Sequence, residues 1–271
     1  MYNVLDIFCG AGGFSCGLEQ AGFNVLAGVD NDDLALQTFE KNHTNAKAIK
    51  HDLSMINNEL FEKINEIEFD NIDVLIGGPP CQGFSIAGKR LVDDPRNSLW
   101  KAYIDIVKEY SPAFLVLENV PTITSLSKGK IAQKIIESFH DLGYETDLKV
   151  LLASDFGVPQ NRRRAFFVAR KKGMPPFSFP TPYERKITCA EATSDLPLLE
   201  DNSGEEDATY TNMPQSDYQR MIRGKCENLT NHTAVNHTEK TRSIIALVPD
   251  GGNHKDLPEE LRQTRKVNIA W

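Results

Sequence analysis

Four short apolar runs constrain this chain more than anything else in it. "NVLDIF" (Asn3–Phe8), "NVLAGVD" (Asn24–Asp30), "NIDVLIGG" (Asn71–Gly78) and "PAFLVLENV" (Pro112–Val120) are nearly continuous in apolar residues. A strand with one wet face alternates apolar and polar positions, so runs like these suit strands buried on both faces. Helical patterns stand between them: "FSCGLEQA" stopped by Gly22, "DDLALQTFEKNH" (Asp32–His43) and "NSLWKAYIDIVKEY" (Asn97–Tyr110). "KIAQKIIESFHDLGY" follows, with Ile131, Ile135, Phe139 and Leu142 on one stripe and Gly143 as the stop. "AFFVAR" (Ala165–Arg170) closes the series as a strand. Strands alternating with helices predict an α/β fold with a doubly wound, mostly parallel sheet. Ligands of such sheets lie outside the carboxyl ends of the strands. Cys9 and Gly10, Asp30, the Pro79-Pro80-Cys81 run and Glu118-Asn119 all follow strand ends, so they are expected on one rim.

The pattern weakens beyond residue 172. One domain is expected over 1–172, a linker over 173–185 carrying Pro175, Pro176, Pro180 and Pro182, and a smaller region over 186–271. "LLEDNSGEEDATYTN" reads as an acidic surface loop. Among the 271 residues no run of eighteen is apolar, so no membrane span is expected. The N-terminus lacks the basic start and small-residue cleavage site of a secretory signal. Five cysteines in unpaired spacing fit neither a disulfide framework nor a zinc site, and a reducing cytoplasm is the simpler setting. The "NHT" tripeptides at Asn42, Asn231 and Asn236 are then chance matches to a glycosylation pattern. His232, His237 and His254 have no ligand spacing, and no metal is expected. A net charge of -8 argues against nonspecific coating of nucleic acid but leaves room for a local basic cleft. The basic residues cluster in "NRRRAFFVARKK" (Asn161–Lys172) and "GKR" (Gly88–Arg90).

Three stretches carry candidate chemistry. "DIFCGAGGFS" places Gly10, Gly12 and Gly13 between strand and helix, with Ser15 where a dinucleotide fingerprint has its third glycine. Small residues admit a ligand close to the backbone, and a helix N-terminus offers N–H groups to an anion. Asp30 could accept from ribose hydroxyls. On the turn alone, NAD and an empty tight turn both stay open. In "GGPPCQGFS", Pro79 and Pro80 fix two φ angles before Cys81, and Gly83 turns the chain away. That suits an aimed nucleophile better than a buried apolar cysteine. "LENV" ends a strand with Glu118, a candidate proton donor beside such a nucleophile. "PQNRRR" puts Arg162 and Arg164 on one face if extended, able to hold a phosphate or a base oxygen, although for this piece alone a solvated basic edge is the favoured reading.

Together these segments resemble the ordered motifs of the DNA (cytosine-5)-methyltransferases. "DIFCGAGGFSCGLEQAGF" is similar to the first motif, "GGPPCQGFS" to the cysteine motif, "DDPRNSLW" to the segment after it, "LENV" to the glutamate motif and "DFGVPQNRRRAFFV" to the arginine motif. Order and spacing agree through about residue 170. The resemblance implies a Rossmann-like S-adenosylmethionine-dependent methyltransferase fold followed by the start of a target-recognition region. It implies Cys81 as nucleophile toward carbon 6 of a flipped cytosine, Glu118 at ring N3, and Arg164 with Arg162 at the ring oxygen and adjacent phosphate. S-adenosyl-L-methionine is the implied cofactor and S-adenosyl-L-homocysteine the product. Phe8 would meet the adenine or sulfonium, Gly10, Ala11, Gly12 and Gly13 the methionine portion, Asp30 the ribose and Asp52 the adenine amino group. Leu53, Pro80 and Leu99 would line that pocket, with Asn31 where the family has a larger side chain. Gln82, Ser85, Lys89 and Arg90 would face DNA from a loop that closes over the flipped base.

Double-stranded DNA is thus the implied partner, in a prokaryotic restriction-modification setting with a cognate restriction endonuclease and no membrane. Two later family motifs, an "REAARLQ"-type helix and a "QxGNAVP"-type segment, do not occur between Arg170 and Trp271. The expectation is a truncated or split chain that a second polypeptide completes, with a self-sufficient divergent protein as the alternative. An RNA (tRNA) cytosine methyltransferase and an inactive cofactor- or DNA-binding remnant are the competing functions. "CQGFS" is closer to the DNA enzymes, since their tRNA-acting relatives usually carry threonine in place of this serine.

Overall fold

A computed structural model describes residues 1–80, 99–199, 203–224, 226–249 and 251–262. Cys81, Gln82, Ser85, Lys89 and Arg90 lie outside the described residues. The chain divides into two compact units, Met1–Lys186 and Ile187–Trp271.

The first unit runs β1 (Asn3–Ile7), α1 (Gly13–Gln20), β2 (Asn24–Asp30), α2 (Asp33–Asn42), β3 (Lys47–Lys50), α3 (Asn58–Asn65) and β4 (Val74–Gly77). It continues with α4 (Leu99–Tyr110), β5 (Phe114–Asn119), α5 (Lys130–Asp141), β6 (Tyr144–Leu152) and β7 (Arg163–Lys171). One seven-stranded sheet results, in the order β3-β2-β1-β4-β5-β7-β6. Pairing is parallel from β3 through β5 and antiparallel at β5–β7 and β6–β7. This is a Rossmann-like α/β fold. Sequence order reverses direction between β1 and β4, and the crevice at such a switch point is where open sheets bind ligands.

The strands legible from apolar runs are the central ones. β3 and β6 escape that reading because they lie at the two edges of the sheet. Only Ile49 of β3 is buried, and in β6 only Tyr144 is buried while the rest are half-buried or exposed. α1 and α2 pack Phe14, Leu18, Leu36 and Phe39 on Val4, Val25, Val74 and Ile76 of one sheet face. α3, α4 and α5 bring Leu60, Ile64, Tyr103, Ile106, Ile135 and Phe139 to Leu5, Ile7, Leu75 and Leu115. Each such side chain stabilises the fold by about 1.5–3 kcal/mol when fully buried. The buried Tyr103 hydroxyl donates to the Leu75 carbonyl at 2.7 Å, and that of Tyr144 to the Pro112 carbonyl at 2.6 Å, so neither polar tip is stranded.

The basic run Asn161–Lys172 is divided between the two ends of β7. β7 carries Arg164 at one end, while Arg170 pairs with Glu145 and Lys171 bonds Ser111 at the other. Six extended residues separate the ends by about 20 Å. The proline-rich stretch belongs to the first unit. The Tyr183 N–H donates to the Asp155 carbonyl at 2.8 Å, and Lys186 pairs with Asp155 at 2.9 Å.

The second unit holds α6 (Cys189–Thr193), β8 (Gly204–Thr209), α7 (Asp217–Arg223), β9 (Asn228–Thr233), α8 (Glu239–Ile245) and α9 (Glu259–Arg262). The acidic stretch read as a surface loop contains β8, which pairs antiparallel with β9. Glu205, Glu206 and Asp207 stay exposed, with Glu205 opposite His232 and Asp207 opposite Thr230 in the ladder, so composition alone concealed the strand. The Arg223 guanidinium lies 3.6 Å from the Tyr210 ring centroid and bonds the Asn212 carbonyl at 2.8 Å. His232 bonds the Pro197 carbonyl at 2.9 Å, a structural tie.

Gly77 marks a close approach of β4 to β1. A Cβ there would stand 2.6 Å from the Ile7 carbonyl oxygen and 2.9 Å from its Cγ1. Gly77→Ala is expected to cost about 1–3 kcal/mol, read as a lower urea midpoint. Gly17→Ala, on α1 with nothing within 4 Å, should be neutral or stabilising by about 0.5–1 kcal/mol.

Candidate active site

The turn between β1 and α1 is held in an unusual shape. Phe8, Gly10 and Gly12 have φ of 59°, 53° and 86°, three left-handed positions within five residues. Glycine adopts these freely, but a phenylalanine there costs on the order of 1–2 kcal/mol. The surrounding bonds offset that cost. The Cys9 N–H donates to the Val29 carbonyl at 3.2 Å, and the Gly12 N–H to the Cys9 carbonyl at 2.9 Å. The Gly10 N–H donates to Asp30 Oδ2 at 2.8 Å, while Asp30 Oδ1 accepts from the Asn31 and Asp32 N–H groups. Asp30 therefore ties the end of β2 to the turn.

A second carboxylate supports the turn from below. Asp6, buried in β1, accepts from the Ser15 hydroxyl of α1 at 2.7 Å. Burial pushes its carboxyl up to about 7, against the lowering effect of the Ser15 bonds. Above it, no side chain caps the first turn of α1. Gly10 and Gly13 have no atom within 4 Å of where a Cβ would stand. The turn thus offers open space and helix N–H groups to an anionic ligand group. Cys9 faces the core instead. Burial, with the Asp6 and Asp30 charges, pushes its thiol far above the ordinary range, which leaves it unreactive.

Across the switch point stands the end of β4. Gly78 leaves its Cβ position 3.5 Å from Glu118 Oε2, so the glutamate lies over the residues that lead to Pro79 and Pro80. Glu118 Oε1 meets Arg164 Nε at 2.6 Å, both side chains about three-quarters buried. The pairing is dictated by the sheet: β7 starts where β5 ends, with Phe166 opposite Glu118 and Ala165 opposite Asn119. Asn119 is buried, donates through Nδ2 to the Pro79 carbonyl at 3.0 Å and accepts the Val120 N–H at 2.9 Å. It fastens the prolyl run to the strand end that carries Glu118. Pro79, Pro80, Trp100 and Asn119 line a recess behind the run.

The sheet thus gathers Phe8, Gly10, Ala11, Gly12, Gly13 and Asp30 on one side of the rim and Pro80, Glu118 and Arg164 on the other. Asn31 is exposed beside Asp30, and Leu99 opens α4. Asp52 is exposed after β3, its carboxyl held below the usual range chiefly by the Ser54 N–H at 2.9 Å. The Leu53 side chain is packed in the core. Arg162 precedes β7 with its side chain exposed, and its carbonyl accepts the Ala153 N–H at 2.8 Å. Sequence reading gave no role to Asp6 or to the Asn119 side chain. The available signals were a lone carboxylate inside the run "NVLDIF" and an amide ending the run "FLVLEN".

A sequence model of the C-5 cytosine-specific DNA methylases matches residues 2–268. The Type II methyltransferase M.DdeI of Desulfomicrobium norvegicum is 36% identical over 274 residues, covering 97% of this chain and 65% of that protein. The Type II methyltransferase M1.HphI of Haemophilus parahaemolyticus is 37% identical over 264 residues, covering 96% and 64%. A solved E. coli prophage protein, assigned as a DNA modification methyltransferase, aligns with a TM-score of 0.74 at 29% identity over 92% of this chain and 76% of that one. The chain belongs to the C-5 cytosine-specific DNA methylase family. It spans somewhat less than two thirds of the length of the two curated relatives.

Asp6 makes stability depend on pH in a defined direction. Its carboxyl is raised from 3.8 to about 7 on folding, so between those values the folded state holds a proton that the unfolded state has released. Stability is expected to fall as pH rises through that window, by at most on the order of 4 kcal/mol. Asp6→Asn should remove this slope. Urea denaturation at pH 5 and pH 8 checks it: the variant gains on the wild type at pH 8.

Proposed function

We propose that this chain is the catalytic part of a DNA cytosine-5 methyltransferase. The observation that carries the reading is the Glu118–Arg164 pair, 2.6 Å apart, over Gly78 on the rim shared with the glycine turn. Carbon 5 of cytosine is a poor nucleophile. Cys81, next after Pro80, adds as a thiolate to carbon 6, and the ring electrons move toward carbon 5. Glu118 holds a proton at N3 as charge builds on the ring, and Arg164 keeps that carboxyl in place and meets the ring oxygen, with Arg162 at the adjacent phosphate. Once carbon 5 has taken the methyl group, loss of its proton and expulsion of the thiolate restore the ring and return Cys81. A stacked base hides this face, so the target is flipped from the helix. Gln82, Ser85, Lys89 and Arg90 then face the DNA.

S-adenosylmethionine, when bound, supplies the methyl group in electrophilic form. The open glycine turn, its uncapped helix and the carboxylates of Asp30 and Asp52 suit such a ligand. Gly10, Ala11, Gly12 and Gly13 would hold its methionine portion, Phe8 the adenine or sulfonium, Asp30 the ribose and Asp52 the adenine amino group. Pro80, Leu99, Asn31 and the Leu53 backbone would complete the pocket. The Type II relatives favour a restriction-modification setting, and the region 186–271 is read as part of target recognition.

Transfer of labelled methyl to cytosine-containing duplex DNA, with tRNA in parallel, tests the reading. With a second polypeptide carrying the two later family motifs supplied, label on DNA is expected, absent in Cys81→Ala and lowered by roughly 10²-fold or more in Glu118→Gln. Label on tRNA alone would reassign the substrate, and none on either would defeat the reading for this chain.

A further inference from the structure

We infer that His43 and Glu19 form a positioning pair that aims the glycine turn at its ligand; this rests on the cofactor reading above. His43 ends α2, with its ring buried and 4.4 Å from that of Phe39. Nδ1 lies 2.7 Å from Glu19 Oε2 of α1, and Nε2 lies 3.1 Å from the Gly12 carbonyl oxygen. Each ring nitrogen therefore faces an oxygen, one on α1 and one on the turn. The Gly12 carbonyl also accepts the Cys16 N–H at 2.8 Å, which fills its second lone pair. A Cβ at residue 12 would stand 2.2 Å from Nε2, so glycine is what admits the imidazole.

The consequence lies in the next peptide plane. In a trans peptide the carbonyl and the following N–H point in opposite directions. Fixing the Gly12 carbonyl toward His43 therefore fixes the Gly13 N–H toward the opposite, open side of the turn. That N–H is among the groups assigned to the methionine portion. Folding does not require this bond, because the Cys16 N–H already satisfies the carbonyl. The pair's separate effect is on direction.

The full chain is titrated with S-adenosylhomocysteine by calorimetry, and thermal midpoints are taken without ligand. His43→Ala should weaken binding by about tenfold or more, the effect of losing a bond to a buried group. Since that variant also opens a cavity, Glu19→Ala, at a partly exposed position, provides the second test and should weaken binding severalfold with little change in midpoint. Glu19→Gln should bind within about twofold of wild type, because an amide can donate to Nδ1 and leave Nε2–H on Gly12. Nitrogen-15 spectra of the imidazole should show an Nε2–H in both the wild type and Glu19→Gln. Wild-type binding matched by both alanine variants would overturn the inference alone. So would losses of binding in all three variants that simply track losses of midpoint. Failure of the wild type to bind would overturn the cofactor reading and this inference together.

Discussion

Parallel pairing among β1, β2, β4 and β5 is the constraint on which the rest of the site depends. Parallel strands put all their carboxyl ends on one edge, so the glycine turn, Asp30, Pro79-Pro80 and Glu118 arrive together without any loop having to reach. The order reversal beside β1 then opens a crevice between the turn and the prolyl run, because successive connections leave toward opposite sides. Gly77 shows how tight this arrangement is. Strand β4 comes so close to the Ile7 carbonyl that a side chain at that position would have to displace its neighbours.

Strain at the turn and the buried carboxyl group beneath it belong to one design. A left-handed phenylalanine and a buried carboxylate are each unfavourable in isolation. Together with Asp30 and the His43–Glu19 pair, they leave the turn one shape rather than several. A ligand arriving at a fixed set of N–H groups loses less in ordering them than one that must organise a floppy loop. Stability is lower for it, and the Asp6 carboxyl is where that loss becomes dependent on pH.

Much of this was legible in the sequence for a physical reason. Buried parallel strands need continuous apolar runs, and the residues directly after them fall at the rim, so Glu118, Asp30 and Gly10 could be placed from the chain alone. Edge strands β3 and β6 and the acidic β8 were not legible, because half-exposed strands need no apolar signature. The Asn119 side-chain role was hidden too, since a buried amide is identified by its partner, Pro79, forty residues away. His43 looked like the end of a helix. Only the fold brings Gly12 and Glu19 to its two nitrogens.

The antiparallel strand explains why an arginine reaches this rim at all. A parallel β7 would begin at the opposite edge of the sheet, with its first residues far from Glu118. Running antiparallel between β5 and β6, it begins at the carboxyl edge and places Arg164 two residues before Phe166, the partner of Glu118. The β6–β7 pair therefore does more than extend the sheet: it reverses the chain so that a cation enters a rim otherwise rich in carboxylates. Glu118 gains a fixed partner there.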